Sequence, residues 1–438
     1  GTRVVNSSDP IGIDAGTPAV KHPTLTHFLQ SSDNPAHISN LTVTLLNSFA
    51  KPVWAKALNA NRKLLAINHY SYDGFGRCIA SSDESGRVKR YSYDSRSRLL
   101  SSTLPDLTLV TNTYAPHATQ GLHTSITVRP NNHSEPELAV GQQQFDGFGR
   151  LTSMTSGTLT EHYDYVEGQA QVSRLTRSSG KLIEYEYDLR LTTFPKAVHP
   201  KEEASCTFEY NSLNASMTRA LNPEGTTDYE YNSKKQLIKE TRKDSSGHEL
   251  ITHYTYTING LALSKTDSTG MTKRYTYDAY ARLASVQQYD GDKTRGLSVE
   301  FNYNSLGQLS RTITTDGSSN TTLTVDLEYD DQGREILRTQ TLNVEAPRVL
   351  SQRWLPNNLL DTRELTVAGT SQLLERFEYD AKGRLCQHSY KGPALPKDRH
   401  GNEIIRQVFQ FDALDNIKRC LSTFADGKSD LALFTYAT

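Results

Sequence analysis

The sequence lacks most of the features that identify a disulfide framework, a metal centre or a membrane protein. Its four cysteines are scattered and include no C-x-x-C pair, which argues against a zinc site and against disulfide staples. No apolar run approaches the roughly 18 residues that a membrane-spanning helix needs. The net charge of -1 lacks the excess of basic residues that is typical of nucleic-acid-binding proteins. We therefore expect no metal, no membrane span and no nucleic-acid partner.

The sequence also lacks the motifs that bind nucleotides and the motif that identifies a zinc-dependent protease. Gly74-Phe75-Gly76 and Gly147-Phe148-Gly149 begin like dinucleotide-binding loops, but neither has the third glycine and the following helix. The sequence contains no G-x-x-x-x-G-K-[ST] loop and no H-E-x-x-H helix. We therefore expect no cofactor.

A few ionisable residues remain as candidates for chemistry. His22, His27 and His37 lie loosely together near the start, in sequence contexts typical of loops. Glu202-Glu203 and Asp330-Asp331 are adjacent carboxylates, which point to opposite faces of a strand and so cannot easily flank one glycosidic bond. These residues do not form a catalytic set, and the sequence predicts a protein that is not an enzyme.

Hydrophobic residues make up only 36% of the chain, which by itself is compatible with disorder. The 23 tyrosines and 13 phenylalanines are too many for a disordered, solvated chain. A β-sheet with one aromatic face and one polar face fits this composition better. A large hollow shell would also carry an unusual amount of polar surface.

A short repeat dominates the sequence: an aromatic residue, a small polar residue, a turn, and usually then Arg or Gln and Leu. Neighbouring copies between Tyr187 and Tyr329 begin 21 to 26 residues apart. A fixed period of this kind is the signature of a repeat architecture. Degenerate copies occur at Tyr114, around Tyr165 and at Trp354. The clear copies begin at Tyr72, Tyr93, Phe145, Tyr187, Tyr210, Tyr231, Tyr256, Tyr277, Tyr303, Tyr329, Tyr379 and Phe411.

A second aromatic residue lies two positions before nearly every copy, with Gln143 and Leu327 as exceptions. A spacing of two places both rings on one face of a strand, and the intervening residues are mostly polar. The fifth motif position is a residue that tolerates positive φ, which predicts a left-handed turn. Those positions are Gly76, Gly149, Gly260, Gly307, Gly333, Gly383, Asn214 and Asp415.

Each copy therefore predicts a β-hairpin, and the copies must pair edge to edge because one hairpin is not stable alone. The predicted fold class is all-β, with short antiparallel hairpins in one continuous sheet. We expect each motif arginine to pair with the aspartate of its own or a neighbouring copy. The predicted structural motif residues are Tyr72, Asp73, Gly76, Arg77, Phe145, Asp146, Gly149, Arg150, Tyr277, Asp278, Arg282, Tyr329, Asp330, Gly333, Arg334, Tyr379, Asp380, Gly383 and Arg384.

The repeat covers residues 66–438, and residues 1–65 form a segment without it that leads into the repeat. Within the first segment, residues 38–46 alternate as a strand does, and residues 51–58 could form a short helix that begins with Pro52. Residues 115–144 interrupt the repeat and predict a long loop or an inserted extra hairpin. The chain stops inside a thirteenth copy at Tyr436, so we expect it to be a piece of a longer protein.

The Tyr-Asp-x-x-Gly-Arg-Leu copies resemble the YD repeats of rearrangement-hot-spot (RHS) proteins. The stretch from Leu104-Pro105-Asp106 through Tyr114-Ala115-Pro116-His117 to the copy at Phe145 is similar to the shell components of bacterial Tc insecticidal toxins. The resemblance implies a strip of β-sheet that spirals into a hollow cocoon around a cytotoxic C-terminal polypeptide from the same reading frame. It also implies secretion from a bacterium and assembly with other shell or delivery components. The self-cleaving aspartate core of that family has no match in this sequence.

A function of a different class stays open at this stage. Exposed aromatic residues on a β-scaffold stack well on sugars, so an extracellular adhesion or carbohydrate-binding protein is the alternative. The alternative requires exposed aromatic platforms, whereas a scaffold requires the motif rings to pack between neighbouring hairpins.

Overall fold

The computed structural model of the protein describes residues 2–7, 24–30, 38–119, 121–131, 136–291 and 295–436. These residues form one sheet of 35 strands, in which each strand pairs antiparallel with the next strand of the chain. No helix occurs in the described ranges, so the predicted all-β fold is confirmed. The strands are β1 (Thr2–Ser7), β2 (Thr24–Gln30), β3 (Ile38–Leu46), β4 (Pro52–Leu58), β5 (Leu64–Tyr72), β6 (Cys78–Ser82), β7 (Val88–Tyr93), β8 (Leu99–Thr103), β9 (Leu109–Tyr114), β10 (His123–Arg129), β11 (Leu138–Phe145), β12 (Leu151–Ser156), β13 (Leu159–Tyr165), β14 (Val172–Thr176), β15 (Leu182–Tyr187), β16 (Pro195–Pro200), β17 (Cys206–Tyr210), β18 (Met217–Asn222), β19 (Gly225–Tyr231), β20 (Leu237–Asp244), β21 (Glu249–Tyr256), β22 (Ala262–Asp267), β23 (Thr272–Tyr277), β24 (Leu283–Tyr289), β25 (Arg295–Tyr303), β26 (Leu309–Asp316), β27 (Thr321–Tyr329), β28 (Glu335–Leu342), β29 (Arg348–Trp354), β30 (Leu360–Val367), β31 (Thr370–Tyr379), β32 (Leu385–Lys391), β33 (Ile404–Phe411), β34 (Ile417–Phe424) and β35 (Ser429–Leu433).

The strip has two rims because its turns alternate along the chain. A strand that ends on a motif aromatic is followed by a motif turn, such as residues 73–77 or 380–384, and these turns form the motif rim. The intervening turns, such as residues 83–87 and 104–108, form the opposite rim. A register shift accompanies the motif turns, as between Ser71 and Tyr72, so each hairpin is bulged and twisted where it leaves the aromatic.

The two faces of the sheet differ as the period of two predicts. On the packed face the paired motif rings, such as Tyr275 and Tyr277, are half-buried between neighbouring hairpins. On the wet face the cross-strand neighbours are hydroxyl pairs, such as Ser92 with Ser101 at 2.6 Å. The prediction that the motif rings pack between hairpins is therefore confirmed.

The sheet is a single layer and has no conventional core. The chain exposes 26973 Å², whereas a compact monomer of this mass exposes about 17,000 Å². Among the described residues no large side chain is fully buried, and the buried apolar residues are few and scattered. Stability must therefore come from strand pairing and from contacts between neighbouring repeats.

The strip winds back on itself after one circuit. Residues 271 and 274 positions apart in the chain are joined by hydrogen bonds, between Ala60 and Asp331 and between Leu58 and Gln332. These contacts bring the motif rim of late repeats against the opposite rim of the first repeats. We call this rim-to-rim contact the seam.

Two local predictions were wrong. Residues 51–58 form strand β4, and no helix begins at Pro52, because the segment pairs with both β3 and β5. A proline is tolerated as the first residue of a strand. The left-handed residue of the copy at Tyr210 is Ala215 (φ 58), and Asn214 is not left-handed, because this turn has one residue more than the turn at residues 73–77.

The first segment and the interruption also have defined structure. The predicted strand at 38–46 is confirmed as β3. The turn at Asn47 has the hydrogen bonds of a motif turn, with Ala50 left-handed (φ 56), so motif geometry begins before residue 66. Residues 115–144 contain β10 and most of β11, the same number of strands as in other copies.

Candidate functional site: the motif clamp and the seam

Most clear motif turns are built around the aspartate or asparagine at the second motif position. In the first clear copy, the Asp73 Oδ1 atom accepts hydrogen bonds from the backbone N–H groups of Phe75 and Arg77, both at 3.0 Å. Gly76 follows with φ +74, and its N–H donates to the Asp73 carbonyl at 3.0 Å. Asparagine and aspartate favour such turns because their side chains bond the backbone that follows. The predicted left-handed position is confirmed at every glycine named for it and at Asp415.

The motif arginine closes the same turn. Arg77 Nε donates to Asp73 Oδ2 at 2.7 Å, and the backbone N–H of Arg77, the largest influence, lowers the pKa of Asp73. The motif arginine therefore pairs with the aspartate of its own copy, which is one of the two arrangements that the sequence predicted. The same pair, at 2.7–2.8 Å, occurs at Asp94–Arg98, Asp146–Arg150, Asp278–Arg282, Asp330–Arg334 and Asp380–Arg384.

The arginine also reaches forward to the next copy. Arg77 Nη1 donates to the Asp94 carbonyl at 3.0 Å, and the Arg77 guanidinium lies 5.0 Å from the centre of the Tyr93 ring. Such cation–π contact adds to the hydrogen bond because the ring face carries negative potential. Equivalent contacts, at 4.2–5.9 Å, join Arg98 to Tyr114, Arg150 to Tyr165, Arg282 to Tyr303, Arg334 to Trp354 and Arg384 to Phe411.

The motif tyrosine reaches backward to the previous copy. Its hydroxyl donates to the carbonyl of the first residue of the strand that follows the previous motif turn. Trp354 makes the same contact, since its Nε1 donates to the Glu335 carbonyl at 2.8 Å. The degenerate copy at Trp354 therefore has the same geometry as the clear copies. The tyrosine contacts, at 2.7–3.0 Å, are Tyr72 to Pro52, Tyr93 to Cys78, Tyr114 to Leu99, Tyr165 to Leu151, Tyr187 to Val172, Tyr210 to Pro195, Tyr256 to Leu237, Tyr277 to Ala262, Tyr303 to Leu283, Tyr329 to Leu309, Tyr379 to Leu360 and Tyr436 to Ile417.

Together these contacts make a clamp that repeats along the motif rim. The copies that have both residues, such as those at Tyr93 and Tyr329, hold the copy before them through the tyrosine hydroxyl and the copy after them through arginine. Sequence reasoning predicted the aspartate–arginine pair but missed the tyrosine hydroxyl bond. The signal for it was present, since the first motif position is tyrosine in ten of the twelve clear copies.

The seam is the second feature, and sequence reasoning missed it. The Asn40 N–H donates to the Asp331 carbonyl at 2.7 Å, and the Ala60 N–H donates to Asp331 Oδ2 at 3.2 Å. Gln332 Nε2 donates to the Leu58 carbonyl at 3.1 Å. The late motif turn thus supplies both donors and acceptors to backbone groups of the first circuit, which would otherwise need water.

Lys382 forms the second part of the seam. Its side chain is only 8% exposed, and its ammonium lies 2.5 Å from Asp415 Oδ1 and 3.9 Å from Asp106 Oδ2. Burial, the largest influence, raises the pKa of Asp415, but the Lys382 and Arg384 cations outweigh it and lower the pKa. A buried ammonium between two carboxylates fixes the late circuit against the first one.

A polar cavity of about 350 Å³ lies beside this contact. Tyr70, Tyr91 and Lys89 line it from the first circuit, and Leu359 and Lys382 line it from the late circuit. It belongs to the seam, because its two walls come from residues about 290 positions apart in the chain.

Two further side-chain clusters combine residue types that also occur in catalytic sites. Ser205 Oγ lies 2.8 Å from His199 Nδ1, beside an open cavity of about 490 Å³. His199 Nε2 lies 3.3 Å from Glu186 Oε1 but is not oriented for a hydrogen bond, and Glu186 also pairs with Lys196 at 3.2 Å. A catalytic relay needs an aligned base and an orienting carboxylate, so we assign no catalysis here.

The other cluster lies on the packed face at β30–β33. Glu375 accepts two hydrogen bonds from Arg363, at 2.6 and 2.8 Å, and lies 3.1 Å from His388 Nε2. The Tyr390 hydroxyl lies 2.7 Å from His388 Nδ1 and donates to Gln407 Oε1 at 2.9 Å. These partners satisfy the polar groups of Glu375, His388 and Tyr390, which is the pattern of a structural network.

The other residues that the sequence analysis considered for catalysis or metal binding are not arranged for either. Glu202 and Glu203 both face Lys181, at 3.9 and 3.3 Å, on the surface of the opposite rim. Asp330 belongs to the clamp and Asp331 to the seam. The described residues contain no cluster of three or more side chains that could hold a metal. His22 and His37 lie outside the described residues, so the expectation for them stays a prediction.

The teneurin YD-shell family matches residues 41–288 and, in a second overlapping match, residues 211–345. The chain belongs to the teneurin YD-shell family. The match begins before residue 66, in agreement with the motif turn at Asn47. No curated protein sequence matches the chain.

Two solved structures share the fold of this YD shell. The Tc holotoxin pore of Photorhabdus luminescens has a TM-score of 0.53 and 9% identity, over 94% of this chain and 24% of that chain. The TcdB2-TccC3 structure has a TM-score of 0.53 and 11% identity, over 99% of this chain and 28% of that chain. This chain therefore spans about a quarter of those proteins. The predicted RHS/YD-repeat resemblance is confirmed, and the chain has a structural, shell-type role.

Proposed function

We propose that this YD shell is part of the wall of a cage that encloses a cytotoxic polypeptide for secretion and delivery, without catalysing a reaction itself. The observation that carries the proposal is the seam. A strip that only displayed binding sites would have no need to return after one circuit and dock rim to rim. A closed wall requires such contacts, because a gap between circuits would let the contents escape.

The wet face supports the same function. Its cross-strand neighbours are hydroxyl and charge pairs, such as Arg219 with Asp228 and Lys239 with Glu230. A wall of satisfied polar pairs offers little apolar surface to an unfolded cargo. The cargo would therefore stay releasable.

Partners and location follow from this proposal. The cargo would come from the same reading frame, downstream of the repeat, and other shell or delivery components would complete the cage. The solved structures with this fold are named as a Tc holotoxin pore and TcdB2-TccC3, which supports this assignment. We propose a secreted bacterial protein, with residues 1–65 leading into the shell and residues 66–438 forming it. None of the described residues belongs to a helix that could cross a membrane.

The motif residues have a defined part in this function. We propose that the clamp fixes the register and curvature of the strip, so that the late motif turns arrive opposite Asn40 and Asp106. The alternation of aromatic and polar residues excludes a slip of one residue but not a slip of two, which the clamp would exclude.

An adhesion or carbohydrate-binding protein is the second candidate. Three rings on the motif rim favour it, since Phe75, Phe148 and Tyr280 are 83%, 87% and 69% exposed. Each ring stands alone on its own turn, with the arginine of that turn about 5 Å away. Sugar binding on a glycan array that is lost in Phe148→Ala would favour this candidate over the cage.

The cage is tested on the full natural reading frame, purified through a tag on this segment. We expect intact mass measurement to find a second polypeptide from the same frame, retained and protected from protease. The seam variant Lys382→Met should expose that polypeptide to protease. Lys234→Met is the matched control, because Lys234 occupies the same fourth motif position on an exposed turn and should leave protection unchanged.

A single uncleaved chain with nothing retained would contradict the enclosed cargo. Equal protease sensitivity of the cargo in the Lys382→Met and Lys234→Met proteins would contradict the role of the seam in closure.

A further inference from the structure

The polar cavity of the seam has one wall from each circuit of the strip. On the first-circuit wall, Tyr70, Ser81 and Lys89 are cross-strand neighbours and form one row over β5, β6 and β7. On the late-circuit wall, Asn357 and Lys382 occupy the fourth positions of two motif turns. The volume of about 350 Å³ lies within the range of small-molecule sites, about 300–1,000 Å³. A small molecule bound there would contact both circuits.

Arg87, which lines this cavity, extends its guanidinium towards the late circuit. Its Nε donates to Asp83 Oδ2 at 2.6 Å, as the motif arginines do within their own turns. In a motif clamp the Nη1 atom then donates to a carbonyl of the next copy, as Arg334 does to Leu355 at 2.8 Å. Arg87 Nη1 instead lies 3.3 Å from an added Cβ on Gly383, and neither Nη atom has an acceptor among the described residues. A largely buried guanidinium therefore ends at the seam with donors that no protein oxygen accepts.

Further hydrogen-bond donors belong to the same lining. Lys89, Tyr70, Asn68 and Asn357 all line the cavity. Within the ranges that the structure describes, the ammonium, hydroxyl and amide N–H groups of these four side chains make no hydrogen bond or ion pair. One exposed lysine of this kind is ordinary, but five side chains with spare donors around one cavity indicate a site for an acceptor-rich ligand.

The acceptors around the cavity are already in use. Asp83 is the one carboxylate among the described lining residues, and both of its oxygen atoms accept hydrogen bonds from its own turn. The carboxylates of Asp106 and Asp415 pair with Lys382, which leaves the charge of Lys89 uncompensated. A neutral sugar needs acceptors as well as donors, whereas an oxyanion needs donors alone. The lining therefore fits an oxyanion better than a sugar.

We propose that the cavity binds a small oxyanion with two or more acidic oxygen atoms, and that this anion bridges the two circuits. Lys89 and Tyr70 hold it from the first circuit, Asn357 holds it from the late circuit, and Arg87 lies between them. Hydrogen bonds to a charged acceptor are shorter and stronger than neutral ones. The site is complete only where the circuits meet, so the anion stabilises the closed seam by mass action. The proposal depends on the seam and not on an enclosed cargo.

Isothermal titration calorimetry with pyrophosphate, at constant ionic strength, tests this on the chain itself. Lys89→Met removes the uncompensated charge. Asn357→Asp replaces an amide donor by an acceptor and keeps the side-chain oxygen that accepts from the Leu359 N–H at 3.2 Å. Lys273→Met is the matched control, because Lys273 precedes Tyr275 in the same Lys-Arg-Tyr-x-Tyr sequence as Lys89 and does not line the cavity. Denaturant unfolding of each protein reports whether it is folded.

We expect the wild type to bind one pyrophosphate per chain and to unfold at a higher denaturant concentration when pyrophosphate is present. Lys89→Met and Asn357→Asp should each bind at least about tenfold more weakly, because each removes a donor to a charged ligand. Lys273→Met should bind as the wild type does. Sodium chloride at the same ionic strength and glucose should give no binding heat.

A wild type that does not bind pyrophosphate would overturn the proposal. Equal losses of affinity in Lys89→Met and Lys273→Met would also overturn it, because they would indicate attraction to surface charge alone. Unchanged affinity in Asn357→Asp would refute the bridge between the circuits. Binding of glucose as tight as that of pyrophosphate would refute the oxyanion class.

Discussion

The motif turns at residues 73–77 and 380–384 have the same backbone and the same ion pair, but different surroundings. In the first, Phe75 at the fourth position is 83% exposed. In the second, Lys382 at the fourth position is 8% exposed and pairs with Asp415 of the next motif turn and, across the seam, with Asp106. The motif thus separates two tasks. The backbone geometry and ion pair that the two turns share hold neighbouring repeats together. The side chain at the fourth position determines whether the turn is exposed to solvent or docked in the seam.

The docked part of the chain also has the denser polar network. Glu375 lies among Arg363, His388 and Tyr390 on the packed face of the late repeats. In the first circuit, Glu240 is bound by the Tyr254 hydroxyl at 2.9 Å and by Arg242. Both carboxylates are buried, but the late one joins more strands. We expect the late repeats to depend more strongly on their charges.

The largest expected effect concerns acid and Glu375. Burial, the largest influence, raises the pKa of Glu375, but His388 and Arg363 outweigh it and lower the pKa from 4.5 to about 2. A pKa that is lower in the folded state gives stability that is present above the unfolded value and lost as pH falls through the folded value. The ionised group contributes about 3 kcal/mol, which disappears between about pH 4.5 and 2.

The variant Glu375→Gln should therefore be less stable than the wild type at neutral pH and should approach it near pH 2. Chemical denaturation across this pH range measures the difference. Glu378→Gln, which neutralises an exposed carboxylate on the same strand, is the control and should follow the wild type. A stability difference between Glu375→Gln and the wild type that does not change with pH would refute the role of ionisation.

The second effect concerns the left-handed turn position. Gly149 has φ +79, with Leu122 Cδ1 at 3.2 Å from an added Cβ, and Gly383 has φ +84, with Arg87 Nη1 at 3.3 Å. Valine at either position should cost about 1–3 kcal/mol, because a branched side chain strains a left-handed backbone. Glu202→Gln should change the unfolding free energy by less than about 0.5 kcal/mol. Equal tolerance at all three sites, measured by denaturation, would undo the turn assignment.

Much of the fold follows from local sequence signals. Alternation, motif aromatics and left-handed residues predict the hairpins and their register, because each depends on a few neighbouring residues. The segment at residues 51–58 was misassigned because its proline and alternating short side chains suit a helix start as well as a strand. The seam had no local signal, because the meeting of Asp331 with Asn40 depends on twist accumulated over one whole circuit.

The third effect separates docked from free turns directly. Lys382→Met should cost about 1–2 kcal/mol, because Asp106 and Asp415 lose their buried cation while remaining partly solvated. Lys234→Met, at the same motif position on an undocked turn, removes only an exposed hydrogen bond from Lys234 Nζ to the Ile258 carbonyl (3.2 Å) and should cost less than about 0.5 kcal/mol. Denaturant midpoints of the two variants measure this. Similar midpoints would mean that Lys382 does not stabilise the seam.

The smallest effect should be equal in the two regions. Tyr379→Phe and Tyr277→Phe each remove one hydroxyl bond to the previous copy, at 2.8 Å in both cases. Each should cost about 1 kcal/mol, as a single hydrogen bond does. The clamp is local to the strip, so docking should not change this value. A clearly larger cost at Tyr379, by the same denaturation, would show that the clamp and the seam are coupled.

Whether the strip returns on itself is tested most directly by the distance between residues 85 and 381. Spin labels on Ser85→Cys and Ala381→Cys, in a protein whose four native cysteines are replaced by serine, report this distance in solution. The matched control pairs Ser85→Cys with Ala279→Cys, which occupies the same motif position on a free turn. A closed seam predicts a short and narrow distance distribution for the first pair only. A broad, long distribution for both pairs would contradict the closed circuit.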